Sequence, residues 1–317
     1  MAAKLAISFI TYNRAKHIRE DLEKISDATK KKGIDIYIFD GSTNDATKNV
    51  VYDFISKGYD HIYYYHYNDD YESSSQRMKD ALLMPDSEYI WFCGDKFLIS
   101  PKNYDILLDC ADKSYDIITI YNKSLNGTKY FSDPVKYVEY CIIPFTHFGA
   151  TIIKKELIKE LDINLRKEYQ GFWKMLIYIQ AINKSNFKGI AIHIHQDSLS
   201  ILSKYQTKSG SRSCMWDIWI KDWYNTIINL PERYNKIKEE IINRPDKDLH
   251  FFSFTELMKQ RAEGQFDLKK CLEYREYISQ VIVMPDLFVY FISMIPRNLA
   301  KKIVKIFNNL SQVFRYE

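Results

Sequence analysis

IYIFDGSTNDAT, residues Ile36 to Thr47, is the stretch that decides the fold. Apolar and aromatic residues lead into Asp40, and a Gly-Ser-Thr-Asn turn follows at once. Val50, Val51, Phe54 and Ile55 then recur at helical spacing, which predicts a helix over 45–57. A buried strand runs straight into a helix, and a carboxylate stands at the junction. Asp, Ser, Thr and Asn all cap helices well, so Ser42 or Asn44 as a cap is the plain reading. Capping does not account for Asp40 at the strand tip.

The same alternation extends on both sides. Leu5–Ile10 is a short apolar run, and Ile18, Leu22 and Ile25 mark a helix over 15–31. Strands are predicted at His61–His66, Tyr89–Cys93 and Tyr115–Tyr121, with helices over 74–83 and 101–112. Alternation at this spacing argues for an α/β fold, a mostly parallel sheet flanked by helices. Farther on come a strand at Phe148–Ile153, helices near 154–161 and 170–182, and a strand at Gly189–Ile194. Ser203–Ser213 is polar, and the pattern from Met215 onward is helical. The expected division is a first domain over 1–210 and a helical accessory region over 211–317.

Bulk properties exclude several classes. At 46% hydrophobic and 15% aromatic, the chain can bury a large core. A net charge of +4 gives no reason to expect a nucleic-acid partner. The five cysteines are scattered without metal spacing, which fits a reducing cytoplasm. The N-terminus MAAKLAISFITYNR reads poorly as a signal peptide, and no apolar run reaches the about 18 residues of a spanning helix. The first strand-to-helix turn, ITYNRAKH, contains no glycine, so the dinucleotide fingerprint and the P-loop are both absent.

In open α/β sheets, ligands bind beyond the carboxyl ends of the strands. Four such ends are polar here: Thr11-Tyr12-Asn13-Arg14, Asp40 to Asp45, Tyr67 to Asp70, and Gly94-Asp95-Lys96. ISFITYNRAKHIREDLEKI, IYIFDGSTNDAT and EYIWFCGDKFLISP, in that order, resemble the family 2 glycosyltransferases of the GT-A fold. The likeness covers roughly residues 4–110, and its specificity lies in the three motifs together.

The resemblance implies inverting transfer of a sugar from a nucleotide-sugar donor, most often a UDP-sugar, to a hydroxyl acceptor. The acceptor would be a saccharide, a lipid-linked sugar or a protein, in surface polysaccharide synthesis or protein glycosylation. It also implies that Thr11, Tyr12, Asn13 and Arg14 line the nucleotide pocket, with Ser42 and Arg77 beside them. Asp40 would meet the base NH, and Asp45 would stand near the ribose or brace the turn. Asp95 would be the first acid of a motif that holds Mn2+ or Mg2+ on the donor diphosphate.

The chain departs from the family at GDKF: Phe97 stands where a ligating acid is usual. Either Asp95 and a distant histidine hold the metal, or Lys96 supplies charge to the diphosphate directly; both would stabilise the departing group. An exposed Asp95–Lys96 pair of little value is the plainer alternative. In AIHIHQD, alternation puts His193 and His195 on one face. The resemblance makes His195 the further metal ligand, with His193 second; two hydrogen-bonded imidazoles at a strand end is the plainer reading.

Inverting transfer needs a carboxylate at the acceptor hydroxyl. The acids near the implied position are Glu168, Asp197 and Asp162; Tyr169, Phe172 and Trp173 could stack on a sugar, with core packing the plainer reading of each. Lys204, Lys208 and Arg212 lie in a basic segment that could close over a diphosphate or equally be an ordinary exposed linker. At the far end, Arg297, Lys301, Lys302 and Lys305 interleave with apolar residues. Such a helix could lie on an anionic membrane surface, pack on its own domain or join a second subunit. A non-catalytic binding subunit of this fold is the remaining alternative.

Overall fold

β1 (Ala3–Thr11) is an interior strand of the molecule's large sheet. Leu5, Ala6, Ile7 and Phe9 are at most 1% exposed, as expected of a strand covered on both faces. The computed structural model describes residues 2–68, 70–95, 97–121, 127–159, 161, 171–194, 199–201 and 215–313. These fall into two compact units. The first holds the described residues up to 161 together with 173–201; the second holds 171, 172 and 215–313.

The first unit opens as the alternation predicts. After β1 come α1 (Ala15–Lys32), β2 (Asp35–Asp40), α2 (Ala46–Ser56), β3 (Ile62–His66), α3 (Tyr71–Leu83) and β4 (Ser87–Gly94). α1 buries Ile18, Leu22 and Ile25, and Gly33 ends it in the left-handed region at φ 63°. α3 lies on β1, where Ser8 Oγ donates to the Ala81 carbonyl at 2.5 Å. On β2 and β3, Tyr37 stacks on Tyr63 at 4.6 Å and Phe39 on Tyr65 at 5.3 Å, following the strand register.

The second half is less regular. β5 (Phe97–Ile99), α4 (Tyr104–Asp112), β6 (Ile117–Tyr121), β7 (Lys129–Phe131), α5 (Pro134–Thr146), β8 (Thr151–Lys154), α6 (Glu156–Lys159), α7 (Trp173–Ala181), β9 (Gly189–His193) and β10 (Leu199–Ile201) complete the unit. The sheet order is β3-β2-β1-β4-β8-β6-β9-β7. Pairing is parallel from β3 to β4, then antiparallel on both sides of β8. β9 is parallel to β6, and β7 is antiparallel to β9. β5, β7, β10 and α5 are additions to the elements expected from sequence. α5 begins at Pro134, and Asp133 caps it by accepting from Val135 N at 2.8 Å.

The strand order fixes where chemistry belongs. The chain leaves β1 toward β2 and β3, then returns to the other side of β1 as β4. That reversal opens a crevice at the carboxyl ends of β1, β2 and β4. Register keeps the tips level: Thr11 pairs with Asp40, and Ile10 with Gly94.

The second unit is helical: α8 (Trp223–Ile228), α9 (Asn235–Ile241), α10 (Arg244–Leu249), α11 (Phe254–Glu263), α12 (Leu268–Glu273), α13 (Arg275–Val281), α14 (Asp286–Met294) and α15 (Arg297–Val313). A π-helical stretch, Asp217–Asp222, leads into α8. Trp216 stacks on Phe266 at 4.8 Å and donates to Gln260 Oε1 at 2.8 Å. Phe172 packs edge-on against Trp219 and Trp223, so it is a core residue here and not a sugar platform.

Asp21 departs from the apolar pattern of α1. It is 1% exposed, and neither carboxylate oxygen has a hydrogen-bond partner. Burial, reinforced by Asp95 and Glu20 against the opposing Lys24, pushes its pKa from 3.8 up to about 8. The folded chain therefore holds a proton that the unfolded chain releases, and stability falls as pH rises from 3.8 to about 8. We expect Asp21→Asn to remove that loss. Denaturant unfolding should find the variant more stable than wild type at alkaline pH by about 2 kcal/mol or more, with little difference once the pH is below the ordinary value of 3.8. Parallel pH profiles for the two proteins would contradict the assignment.

Candidate functional site

The turn after β1 is built on Asn13. Its backbone is left-handed at φ 52°, a conformation that asparagine tolerates better than most residues. It therefore makes the sharp turn that lacks a glycine. Asn13 N donates to Ser42 Oγ at 2.8 Å, and Asn13 Oδ1 accepts from Thr43 N at 3.1 Å. Gly41 N donates to the Thr11 carbonyl at 3.0 Å. These contacts bolt the tips of β1 and β2 together.

Asp40 locks the second turn from within. It is fully buried; Oδ1 accepts from Ser42 N at 2.9 Å and from Ser42 Oγ, and Oδ2 accepts from Tyr64 OH at 2.8 Å. Burial and this bond push the Tyr64 phenol well up from its ordinary value. An ionised carboxylate has about four acceptor positions. Three are used within the protein, so the base contact implied by the resemblance has one left. Ser42 serves Asp40 and Asn13 and does not cap α2. Asn44 Oδ1 accepts from Ala46 N at 3.0 Å, an Asx turn at the helix start. Asp45 is exposed and faces Lys48 at 3.8 Å.

Two arginines join this frame. Arg77 Nη1 donates to the Thr11 carbonyl at 3.0 Å, and its guanidinium lies against Gly41. A Cβ at position 41 would stand 1.7 Å from that nitrogen, so any side chain there would displace the guanidinium. Arg14 reaches the tip of β4, where Nη1 contacts Asp95 Oδ1 at 2.6 Å. The Asp95 side chain is 7% exposed and that of Arg14 38%, so the carboxylate is buried and the cation half-open. Thr11 Oγ1 is buried beside them without a hydrogen-bond partner, while Tyr12 is exposed.

The residues of the β1, β2 and β4 tips thus converge: Thr11, Asn13, Arg14, Asp40, Ser42, Arg77 and Asp95. Lys96, Asp162, Glu168, Tyr169, His195, Asp197, Lys204, Lys208 and Arg212 lie outside the described residues. His193 is described, at the end of β9. In the sheet order β9 stands three strands from β4. β10 pairs antiparallel with β5, Ile201 opposite Phe97, so the chain after β9 returns to the neighbourhood of Asp95.

Among the described residues no group of three His, Cys, Asp or Glu could hold a metal ion. At the β4 tip the described ligand is one carboxylate, already paired with a guanidinium. That is an incomplete donor set for Mn2+ or Mg2+.

One group was not legible in the sequence. Lys174, the second residue of α7, is 4% exposed, and its amine has no hydrogen-bond partner. The amine lies 4.3 Å from the centroid of Phe148, the ring that covers Gly94. Burial pushes its pKa from 10.5 down to about 7. Near neutral pH such an amine changes charge readily. A lysine beside Trp173 reads as a solvent-facing helix residue, and nothing in the spacing marks it. Trp173 itself packs edge-on against Phe92 at 5.7 Å, in the core.

No family model matches the chain, and no curated protein matches it by sequence. Solved structures do match in fold. TarS of S. aureus, residues 1–349, superposes with a TM-score of 0.54 at 14% identity, covering 91% of this chain and 86% of that one. The same protein in complex with UDP-GlcNAc gives 0.52 at 15% identity, covering 91% and 87%. The mannosyltransferase PcManGT of Pyrobaculum calidifontis, in complex with GDP-Man and Mn2+, gives 0.55 at 11% identity, covering 97% and 88%. The chain has the GT-A fold of these glycosyltransferases.

The Arg14–Asp95 pair is testable by itself. Arg14→Ala leaves a buried carboxylate without its cation, and we expect a loss of about 1.5–3 kcal/mol in denaturant unfolding. The double variant Arg14→Ala/Asp95→Ala should recover part of that loss. Strict additivity would show that the two groups do not interact.

Proposed function

We propose that this protein is an inverting glycosyltransferase that moves a hexosyl group from a UDP-sugar to a hydroxyl acceptor. The observation that carries the reading is the convergence of Thr11, Asn13, Arg14, Arg77 and Asp95 at the reversal of strand order in a GT-A fold. Two guanidiniums at a crevice offer rigid, permanently charged donors suited to a diphosphate. The unpartnered Thr11 hydroxyl offers a further polar contact.

In this account Asp40 and Ser42 hold the shape of the nucleotide pocket, and Asp40 keeps one acceptor position for the base. Arg14 and Arg77 offset charge on the departing diphosphate, an effect that is strongest where water is excluded. The sugar C1–O bond to phosphate breaks as the acceptor oxygen bonds C1 from the opposite face. The acceptor proton passes to a carboxylate, for which Glu168 and Asp197 remain our assignments. A divalent ion, Mn2+ or Mg2+ held by Asp95 and His195, would add charge at the same place. Polysaccharide synthesis or protein glycosylation on the cytoplasmic side is the setting we favour, with a saccharide, a lipid-linked sugar or a protein as acceptor.

A second reading, a binding subunit without catalysis, draws on GDKF, where Phe97 enters β5 at the place of a ligating acid. The two separate on donor hydrolysis. The purified chain, incubated with UDP-glucose, UDP-galactose and UDP-N-acetylglucosamine, should release UDP slowly from at least one, and Asp95→Ala should abolish release. Release unchanged in Asp95→Ala would remove Asp95 from the mechanism. No release from any donor would favour the binding subunit.

A further inference from the structure

We propose that α14 and α15 form a docking surface for an anionic phospholipid bilayer. The argument begins with α14, whose sequence DLFVYFISM is apolar around most of its circumference. One side is accounted for: Val289, Ile292 and Ser293 are buried in the helical unit. The other side is not. Leu287 is 78% exposed, Phe291 59%, Met294 57% and Phe288 56%. At 3.6 residues per turn, Leu287, Phe291 and Met294 fall within an arc of about 60°, with Phe288 beside them. Single exposed apolar residues are ordinary on protein surfaces, but a continuous apolar face on a short helix marks a contact.

Charge identifies the occupant. From Leu287 to Val313 the chain has no acidic residue. α15 presents Lys301, Lys302 and Lys305 to solvent, with Leu299 at 48% and Ile306 at 57% exposure along one edge of the lysine row. Arg297 is otherwise engaged: Nε donates to the Ala262 carbonyl at 2.9 Å and Nη2 to the Glu263 carbonyl at 2.7 Å. It fastens the start of α15 to the end of α11, which holds the lysine row in place on the unit. Arg261 Nε donates to the Ile295 carbonyl at 2.7 Å and fixes the end of α14 in the same way.

Lysine is depleted at the cores of protein interfaces, and a second copy of this chain would set its lysine row against an identical one. Exposed Phe, Leu and Met beside lysines without acids is the pattern of a helix lying at a lipid interface. The apolar side chains enter the headgroup boundary, and the ammonium groups meet anionic phosphates. No helix among the described residues is long and apolar enough to cross a membrane, so the contact is peripheral. This inference does not rest on the transferase reading, because its residues all belong to the helical unit.

The test is co-sedimentation of the full chain with two vesicle preparations, phosphatidylcholine alone and phosphatidylcholine with phosphatidylglycerol. We expect binding to the mixed vesicles that weakens with added salt, and little binding to phosphatidylcholine alone. Each lysine contributes about fivefold near the surface, so Lys301→Gln/Lys302→Gln/Lys305→Gln should lose affinity on the order of a hundredfold. Leu287→Ser/Phe291→Ser should also lose binding while its thermal melt stays close to wild type, since both side chains face solvent. Failure to bind the mixed vesicles would overturn the proposal, as would unchanged binding in both variants. A dimer in light scattering that Leu287→Ser/Phe291→Ser dissolves would assign the face to self-association instead.

Discussion

The 2.6 Å contact between Arg14 and Asp95 is the interaction on which the site depends. β1 lies between β2 and β4 in the parallel half of the sheet, and its tip must be held to β2 on one side and to β4 on the other. Hydrogen bonds from Asn13 and Gly41 secure the first junction. Arg14 secures the second, because β4 ends in a buried carboxylate that needs a cation. An unpaired buried charge would be costly, and the half-open guanidinium supplies the partner without sealing the crevice. One contact thereby fixes the geometry of the strand ends and sets the electrostatics of whatever binds there.

Two further groups extend that logic. Asp21 is buried near Asp95 without partners and keeps its proton near neutral pH. Lys174 is buried behind Phe148 and holds its proton weakly. Both are costly placements for ionisable groups, and both border the β4 strand. Stability is spent on polar groups here while the rest of the sheet is packed with Ile, Phe and Tyr. Such concentrations of perturbed groups are a common mark of functional sites.

The first half of the fold was legible because its code is local. Each of β1 to β4 is an apolar run closed by polar turn residues, and α1 shows its buried stripe at Ile18, Leu22 and Ile25. The antiparallel half was less legible because its pairings are distant in sequence. β8 enters between β4 and β6, and three-residue strands such as β5 and β10 carry too little pattern to announce themselves. In the site, the strand ends drew attention to residues that converge in the fold, but their partners are ones that spacing cannot show. Ser42 reads as a cap and is in fact shared between Asp40 and Asn13. Phe172 and Trp173 read as core aromatics that could also stack on a sugar, and both are core. Lys174 was invisible because burial, not residue type, makes it unusual.

The central claim is that the crevice at the β1, β2 and β4 tips binds a nucleoside diphosphate. Calorimetric titration of the chain with UDP, GDP and CMP, each with Mn2+ and again with EDTA, tests it most directly. The account predicts that UDP binds, and binds more tightly than GDP or CMP; the difference between Mn2+ and EDTA then divides the charge between a metal on Asp95 and the arginines. Absence of binding by every nucleotide under both conditions would contradict it.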